Sequence, residues 1–374
     1  MNHHQILRHH LALAQVEGIG GILHRQLILH FKDPIRVWEA KPSQWKRVPG
    51  IGEGLIQQLS KRHLWLDQAD RVLENAQRSG VRILSYTCPD YPNRLAQIPD
   101  APPILYVKGQ LHAMADKVLA IVGTRQATDY GKHWIGQWLN QTKGWKPVVV
   151  SGLALGIDAA AHAHALKNGL PTVAVMANGL DTIYPAQNRK LASQILEHGG
   201  GWISENPLGM KPMASLFLAR NRIIAGLSDV CIVVESAVRG GGMVTADFAF
   251  QYDRAVMAVP GSVWSAQSAG PHQLIRLQKA QLLTQPEDIW SEVSWPPLNL
   301  FSTENGPSKQ EIDLTQCQPA EVEVIQALQK LGEVHIDRLA LACNLTLNQL
   351  ASTLLHLEFQ GFVKTKPGKK ISLS

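Results

Sequence analysis

The sequence has few cysteines and no long apolar run. Its 374 residues include four scattered cysteines, Cys88, Cys231, Cys317 and Cys343, and no Cys-x-x-Cys pair. This pattern argues against a disulfide framework and a zinc site, so we expect no metal. No apolar run is long enough to span a bilayer. The first residues, Met1–Gln5, lack the basic-then-apolar order of a secretory signal, which favours a cytoplasmic, reduced protein.

Several enzyme motifs are also missing. There is no Gly-x-x-x-x-Gly-Lys-Ser/Thr run, which excludes a P-loop ATPase. No Gly-x-Gly-x-x-Gly follows the first predicted strand of the central sheet, so dinucleotide binding is disfavoured. The sequence has no Gly-x-Ser-x-Gly elbow and no cysteine beside a plausible base, which argues against the common hydrolase nucleophiles.

The charge balance is basic. The formal net charge is +6 and the pI is about 9.1, which favours an anionic partner but carries no information about fold. Four of the histidines, His3, His4, His9 and His10, stand close to the N-terminus. We interpret them as part of a solvated lead-in.

Residues 1–79 form a predicted helical domain interrupted by two glycine-centred turns. The turns are Val16–Gly21 and Val48–Gly54, and the second is followed by the apolar stripe Leu55, Ile56 and Leu59. This pattern is typical of a helix-hairpin-helix, whose exposed amides can bind a DNA phosphate without reading sequence. The alternative is a small helical bundle whose glycines only turn the chain.

Residues 80–292 alternate strand and helix signals. Nearly continuous apolar runs occur at Val118–Val122, Val148–Val150, Thr172–Met176, Val230–Val234 and Ala255–Val259. Such runs are typical of a parallel sheet that is covered on both faces. We therefore predict an α/β fold, a Rossmann-like, doubly wound and mainly parallel sheet, whose ligand binds at the carboxyl ends of the strands.

A linker and a small C-terminal domain follow. Residues 293–318 are rich in proline, serine, threonine and asparagine without periodicity, and residues 319–374 predict three helices and a Pro-Gly hairpin. That order indicates a winged helix-turn-helix. Its positive charge is confined to the wing, at Lys364, Lys366, Lys369 and Lys370. Since the predicted recognition helix has few basic residues, we favour a protein contact or a weak backbone contact over duplex reading.

Polar and glycine-rich loops follow the predicted strands. The first strand runs into Gly123, Thr124 and Arg125, and the next into Ser151 and Gly152. Glycine permits close backbone approach, and the hydroxyl and guanidinium groups suit phosphate. The alternative for the first loop is an ordinary strand-to-helix turn with a surface arginine.

Two further segments combine phosphate-binding groups. Phe217, Arg220, Asn221 and Arg222 place an aromatic ring one turn before two arginines. The alternative is that one arginine makes a structural ion pair and that Phe217 is buried. The second segment is a candidate phosphate cradle, Gly240, Gly241 and Gly242 followed by Thr245.

Ordered motifs of the chain resemble one known family. They are Ala120–Thr128, Ser151–Asp158 with Ala161-His162, Gly179–Pro185, Ile203–Glu205, Arg220–Ser228, Thr245-Ala246, Val259–Gly261 and Gly270–Ile275. Together they resemble the DNA-processing protein A family. The resemblance covers the whole α/β domain, and the helical front and winged-helix tail agree with it.

The resemblance implies a non-enzymatic protein of natural transformation that binds and protects incoming single-stranded DNA and helps to load the RecA recombinase. It also implies a homodimer formed through the Rossmann-like domain, with no cofactor and no catalytic residue. The implied DNA pocket contains the loop, arginine and glycine residues named above, with Phe217 as the candidate for stacking on a base.

This sequence departs from the family pattern in three places. Gly240 and Gly242 stand where serines are usual, Leu218 replaces a proline, and Lys279-Ala280 stands where Gly-Ala is common. The missing serines put two hydroxyl contacts to phosphate in doubt, which backbone amides would replace.

An enzyme is the competing hypothesis. Phosphoribohydrolases that release a base from nucleoside monophosphates carry a similar Rossmann-like domain with a Pro-Gly-Gly-x-Gly-Thr-x-x-Glu loop. Here Gly240–Thr245 has the glycines but no preceding proline, and Asp247 is the nearest acid.

Overall fold

The computed structural model describes residues 3–111, 117–289, 292–293, 295, 318–332, 334–343, 345–359, 362–366 and 370–373. The chain forms two compact units, residues 1–300 and residues 301–374. Among the described helices, none is both long enough and apolar enough to cross a membrane.

The first unit begins with six helices. They are α1 (His3–Ala14), α2 (Gly21–Phe31), α3 (Pro34–Glu39), α4 (Pro42–Trp45), α5 (Glu53–Ser60) and α6 (Arg62–Arg78). The two predicted turns join α1 to α2 and α4 to α5. Each turn holds one glycine at φ +89°, Gly18 and Gly50, a left-handed conformation that glycine adopts without steric cost.

The interpretation of the N-terminal histidines as a solvated lead-in is wrong for two of them. His9 and His10 lie four and three residues before the fully buried Leu13, and so they share the inward face of α1. His10 is 0% exposed and stacks on the equally buried His24 of α2, with ring centroids 5.2 Å apart. Thr87 Oγ1 lies 3.0 Å from His10 Nε2 and ties this pair to the sheet domain.

Burial keeps both histidines neutral. Loss of hydration lowers the pKa of His10 to about 4 and that of His24 to about 3, against a usual value of 6.5. In the unfolded chain these rings bind protons below their usual pKa of 6.5, whereas in the folded chain they do so only at much lower pH. The stability that the neutral pair contributes is therefore complete above pH ~6.5 and is lost as the pH falls.

We expect the free energy of unfolding to be smaller at pH 5 than at pH 7, by up to about 1.4 kcal/mol per pH unit for each buried histidine. Urea denaturation at the two pH values measures this difference. The double variant His10→Gln/His24→Gln should show a weaker pH dependence, whereas the exposed-site control His63→Gln should keep that of the parent. An unchanged dependence in the double variant would contradict the assignment.

The sheet of this unit has nine strands in the described residues. They are β1 (Arg82–Ser85), β2 (Ile104–Gly109), β3 (Val118–Val122), β4 (Val148–Ser151), β5 (Thr172–Val175), β6 (Gly201–Ser204), β7 (Val230–Val233), β8 (Ala255–Ala258) and β9 (Gln281–Leu282). The accompanying helices are α7 (Asn93–Gln97), α8 (Asp129–Thr142), α9 (Ile157–Lys167), α10 (Arg189–Glu197), α11 (Ala214–Leu227), α12 (Gly241–Gln251) and α13 (Ala269–Arg276).

The strand order is β1-β2-β6-β5-β4-β3-β7-β8-β9. Strands β3 to β9 pair in parallel, whereas β2 pairs antiparallel with β6 and β1 antiparallel with β2. The predicted Rossmann-like, doubly wound and mainly parallel sheet is confirmed. Since the connections leave β3 in opposite directions, toward β4 and later toward β7, the switch point lies between β3 and β7, where such sheets bind ligands.

The central strand shows why the apolar runs predict this fold. Ala120 belongs to the apolar cluster that includes Ile223 of α11, whereas Ile121 belongs to the cluster that includes Ile135 of α8. Both faces of β3 are therefore buried, and a continuous apolar run is required. The helices of residues 1–79 share a further cluster with β1, β2, β5 and β6. The predicted domain boundary at residue 79 stays a prediction.

The second unit is a winged helix, as predicted. Its elements are α14 (Pro319–Leu331), β10 (Val334–His335), α15 (Ile336–Ala342), α16 (Leu347–Phe359), β11 (Val363–Lys366) and β12 (Lys370–Leu373). The sheet order is β10-β12-β11, and both pairings are antiparallel. Most of the predicted linker and the wing residue Lys369 lie outside the described residues.

Candidate functional site

A cleft of about 1480 Å³ opens at the carboxyl end of β3. Ten of the thirteen sequence-predicted site residues line it: Gly123, Thr124, Arg125, Phe217, Arg220, Asn221, Gly240, Gly241, Gly242 and Thr245. Its other lining residues include the basic side chains Arg189 and Lys211, and its one acidic lining residue among those described is Asp158. The cleft therefore favours an anionic ligand.

The loop after β3 and the start of α12 approach each other through glycine. A Cβ atom at Gly242 would lie 3.1 Å from Gly123 Cα, and one at Gly123 would lie 2.6 Å from the carbonyl oxygen of Glu235. Asn221 Nδ2 and Thr245 Oγ1 both donate to the carbonyl oxygen of Gly241, at 3.3 and 3.4 Å. These two side chains therefore shape the glycine loop. The first amides of α12 have no intrahelical acceptor, so this end of the helix attracts anions.

Steric crowding explains why glycine occupies positions 240 and 242. A Cβ atom at Gly240 would lie 2.2 Å from Ser236 Oγ, and that hydroxyl donates to the carbonyl oxygen of Ala237 at 2.9 Å. Ser236 therefore occupies the space into which a side chain at position 240 would project. Gly242 is restricted by its contact with the β3 loop. A serine at either position would require the surrounding backbone or Ser236 to move.

Arg220 is a buried structural element of the cleft floor. Its side chain donates through Nη1 to the carbonyl oxygen of Gly152 at 2.7 Å and to that of Val175. Glycine at position 152 makes room for this contact, because a Cβ atom there would lie 2.1 Å from Arg220 Nη1 and would displace the guanidinium. The Asp158 carboxylate accepts from the amide nitrogens of Gly152 and Ala154, at 3.2 and 3.4 Å, and closes the same loop.

The charges of Arg220 and Asp158 depend on each other. Burial lowers the pKa of Arg220 to about 10 and raises the pKa of Asp158, while each charge opposes the shift of the other. Within the described residues, Arg220 Nε has no hydrogen-bond acceptor. This nitrogen is itself buried, so the polar contacts of the Arg220 side chain are made through Nη1.

Arg125, in contrast to the buried Arg220, is exposed and lies at the rim of the cleft. Its guanidinium carbon lies 5.4 Å from the ring centroid of Phe217, and the Phe217 ring lies 5.5 Å from that of Tyr184. Tyr184 is 45% exposed. Tyr184 belongs to the Gly179–Pro185 motif and lines the cleft. One cation and two aromatic rings therefore form a continuous rim.

Three predicted site residues do not line the cleft: Ser151, Gly152 and Arg222. Ser151 Oγ is fully buried and donates to the carbonyl oxygen of Ile121 at 2.6 Å. Arg222 forms ion pairs with Glu205 and with Asp100, whose Oδ2 lies 3.7 Å from Arg222 Nε. This agrees with the alternative interpretation, in which one of the two arginines makes a structural ion pair. Residues two apart on a helix point to nearly opposite sides, so Arg220 and Arg222 cannot both face one cleft. A role of these residues in binding stays a prediction.

Sequence reasoning missed Arg189 and Lys211 as lining residues. Neither belongs to a glycine-rich loop or follows a strand directly, and single surface cations carry no pattern. Only the folded positions of the first residue of α10 and of the loop before α11 bring them to the cleft.

Replacing Arg220 by methionine should lower the free energy of unfolding by about 3–5 kcal/mol, because Asp158 loses its buried counter-charge. The matched change at the exposed arginine, Arg125→Met, should cost less than about 1 kcal/mol. Urea denaturation of both variants measures the difference. Equal stabilities would show that Arg220 is not the structural arginine of the cleft.

The fold and the site define a class of protein, a Rossmann-like protein with a basic, phosphate-suited cleft at the sheet switch point and a separate winged-helix unit. Residues 82–294 match the family described as DNA recombination-mediator protein A, and residues 309–369 match the DprA winged helix domain. The chain belongs to this DNA-processing protein A family.

Individual relatives agree with that assignment. Protein Smf of Escherichia coli is 34% identical over 366 residues, which cover 92% of each chain. The structure of DNA processing protein A from Streptococcus pneumoniae superposes with a TM-score of 0.67 at 29% identity, covering 77% of this chain and 99% of that one. A Helicobacter pylori DNA processing protein A, described for its single-stranded DNA binding mode, gives a TM-score of 0.50 at 29% identity and covers 56% of this chain and 94% of its own.

Proposed function

We propose that this protein is a non-enzymatic single-stranded DNA-binding protein that protects incoming DNA and helps to load the RecA recombinase during natural transformation. The observation that carries the proposal is the rim of Arg125, Phe217 and Tyr184 above a glycine-lined, basic floor. Single strands are bound by cations that follow the backbone and by aromatic rings on which bases stack. Membership of the DNA-processing family and the single-strand binding of the Helicobacter pylori relative support it.

The rim fits a strand with unpaired bases better than a duplex. A ring such as Phe217 can stack on a base only when that base is not enclosed in a double helix. The glycine loop at Gly240–Gly242 supplies backbone amides, which bind phosphate without reading sequence. The proposed ligand is therefore any single strand, with little dependence on base order.

The hydrolase alternative has less support from the site. Asp247, the nearest acid to the glycine loop, is bound by Lys279 at 2.7 Å and does not line the cleft. The acid that does line it, Asp158, accepts two backbone amide bonds and faces Arg220. Its Oδ2 accepts both amide bonds and so is occupied in holding the loop. We therefore favour binding over hydrolysis.

We expect Arg125→Ala to weaken binding to oligothymidine and to lower the slope of log affinity against log salt by about 0.7, the loss of one phosphate contact. Phe217→Ala should weaken binding by about 5- to 150-fold, because one stacked base is worth roughly 1–3 kcal/mol. Fluorescence anisotropy across a salt series measures both effects.

Exposed residues outside the cleft provide the controls. Arg71→Ala and Leu64→Ala remove a comparable cation and apolar side chain from α6 and should leave the affinity unchanged. If the two cleft variants bind like these controls, the cleft is not the single-strand site.

The proposed function includes a homodimer formed through the Rossmann-like domain. Strand β9 is an edge of the sheet, and large apolar side chains around it are exposed: Phe250 48%, Leu277 53% and Leu282 46%. Lys279 Nζ lies 5.9 Å from the Phe250 ring centroid, which places Phe250 beside the segment that leads to β9. An edge strand with exposed apolar neighbours is a surface suited to self-association.

Leu282→Arg should convert the dimer to a monomer, because an arginine in an apolar interface remains unpaired. Light scattering after size exclusion would report a mass near the 41.2 kDa of one chain instead of twice that value. Leu64→Arg, an equal change at the exposed surface of α6, should leave the dimer intact. A dimeric Leu282→Arg variant would move the interface elsewhere.

A further inference from the structure

The helical region carries most of the net charge of the chain. Residues 1–79 contain eleven Lys and Arg against seven Asp and Glu, an excess of four within a chain whose net charge is +6. The central cleft does not use these cations. An excess of this size on one region of the surface attracts polyanions.

Part of this charge converges on a second cleft, which we call the basic cleft. Its volume is about 440 Å³, and it is lined by His30, Phe31, Lys32, Arg36, Glu39, Ala40, Gln44 and Arg47. Lys32 ends α2, Arg36 lies in α3 and Arg47 follows α4. Three separate segments therefore each contribute one cation to the lining of the same cavity.

These three cations are exposed and, among the described residues, have no ion-pair partner. The neighbouring Lys46, in contrast, pairs with Glu53 at 3.1 Å. The nearby carboxylate of Asp33 accepts the amide of Ile35 at 2.7 Å and caps α3. Glu39 also lines the cleft, so three cations stand against one carboxylate, and a bound polyanion would neutralise the remaining positive charge.

The second glycine turn fixes the position of Arg47, which directly precedes it. A Cβ atom at Gly18 would lie 3.1 Å from Leu55 Cδ2, and one at Gly50 would lie 3.5 Å from Leu23 Cδ1. The two turns thus pack reciprocally, each against the leucine that follows the other. Such mutual packing holds the chain at Arg47 in a defined place.

The two turns differ in what covers them. A Cβ atom at Gly21, the first residue of α2, would lie 2.7 Å from the carbonyl oxygen of Ala101, so this end of α2 is docked on the sheet domain. Gly52 and Gly54, at the start of α5, have no neighbour within 4 Å of such an atom. Gly20 of the first turn is equally open, so the two turns differ at the first residues of their helices, where α2 is docked and α5 is not.

We propose that the basic cleft binds the sugar–phosphate backbone of DNA, independently of base sequence and separately from the central cleft. Arg36 and Arg47 present guanidinium groups, which bind phosphate oxygens in pairs, and Lys32 adds a point charge. Three cations from three segments around one cavity suit several phosphates of one chain rather than a single small anion. The backbone comes from a longer single strand or from an adjoining duplex, and the experiment separates these sources.

The test compares the triple variant Lys32→Ala/Arg36→Ala/Arg47→Ala with the matched variant Arg71→Ala/Arg78→Ala/Lys167→Ala, which removes the same charge from exposed sites outside the cleft. Three probes are used: oligothymidines of about 12 and about 40 nucleotides, and a duplex of about 20 base pairs. Circular dichroism melting confirms that both variants are folded.

The triple variant should bind the short oligothymidine like the parent. It should lose about tenfold or more in affinity for the long strand or for the duplex, with the salt slope lowered by about 2–3. If only the affinity for the long strand falls, the basic cleft binds single-stranded DNA. If only the affinity for the duplex falls, it binds duplex DNA.

Unchanged affinity for both long probes would overturn the proposal, as would an equal loss in the matched variant, which would indicate a net-charge effect. If the triple variant loses binding to polyglutamate but not to DNA, the cleft is a surface for acidic polypeptide and the proposal fails. The triple variant keeps Arg125 and Phe217, and its duplex affinity is compared with that of the parent, so failure of the central cleft as a single-strand site leaves this result readable.

Discussion

The cleft depends on the buried guanidinium of Arg220. Two of the strand-to-loop transitions that surround the cleft, after β4 and after β5, are held by its bonds to the carbonyl oxygens of Gly152 and Val175. Asp158 supplies the opposite charge and the acceptor for two amides of the same loop. A charge of this kind is costly to bury alone, so the arginine, the aspartate and the glycine at 152 are required together.

Much of the fold could be predicted because parallel strands covered on both faces leave a continuous apolar run. The runs ending at Val122, Val150 and Val234 correspond to β3, β4 and β7. Four strands were not singled out: β1, β2, β6 and β9. Strand β1 begins with an arginine, β6 starts at glycine, and β9 has only two residues, so none of these three produces a long run. Strand β2 does contain the apolar run Ile104–Val107, which was overlooked.

The site was predictable at the level of loops but not at the level of side-chain direction. Glycine-rich loops after strands must meet at one edge of a parallel sheet, and ten of thirteen predicted residues do so. Arg222 does not line the cleft, because the helix turns it away from Arg220, toward Glu205. His10 shows the same limitation: the sequence contains its position on α1, but only the partner His24 reveals that the polar ring is buried.

Helix α11 is anchored on both sides, by Arg220 toward the sheet and by Arg222 toward Glu205 and Asp100. One wall of the cleft is thus rigid before any ligand arrives, and a ligand meeting it does not have to order it. The entropic cost of binding falls instead on the exposed rim, where Arg125 and Tyr184 lose rotamer freedom. The affinity of the cleft is therefore adjustable through residues that contribute little to folding, and evolution can tune the rim while the anchored wall stays unchanged.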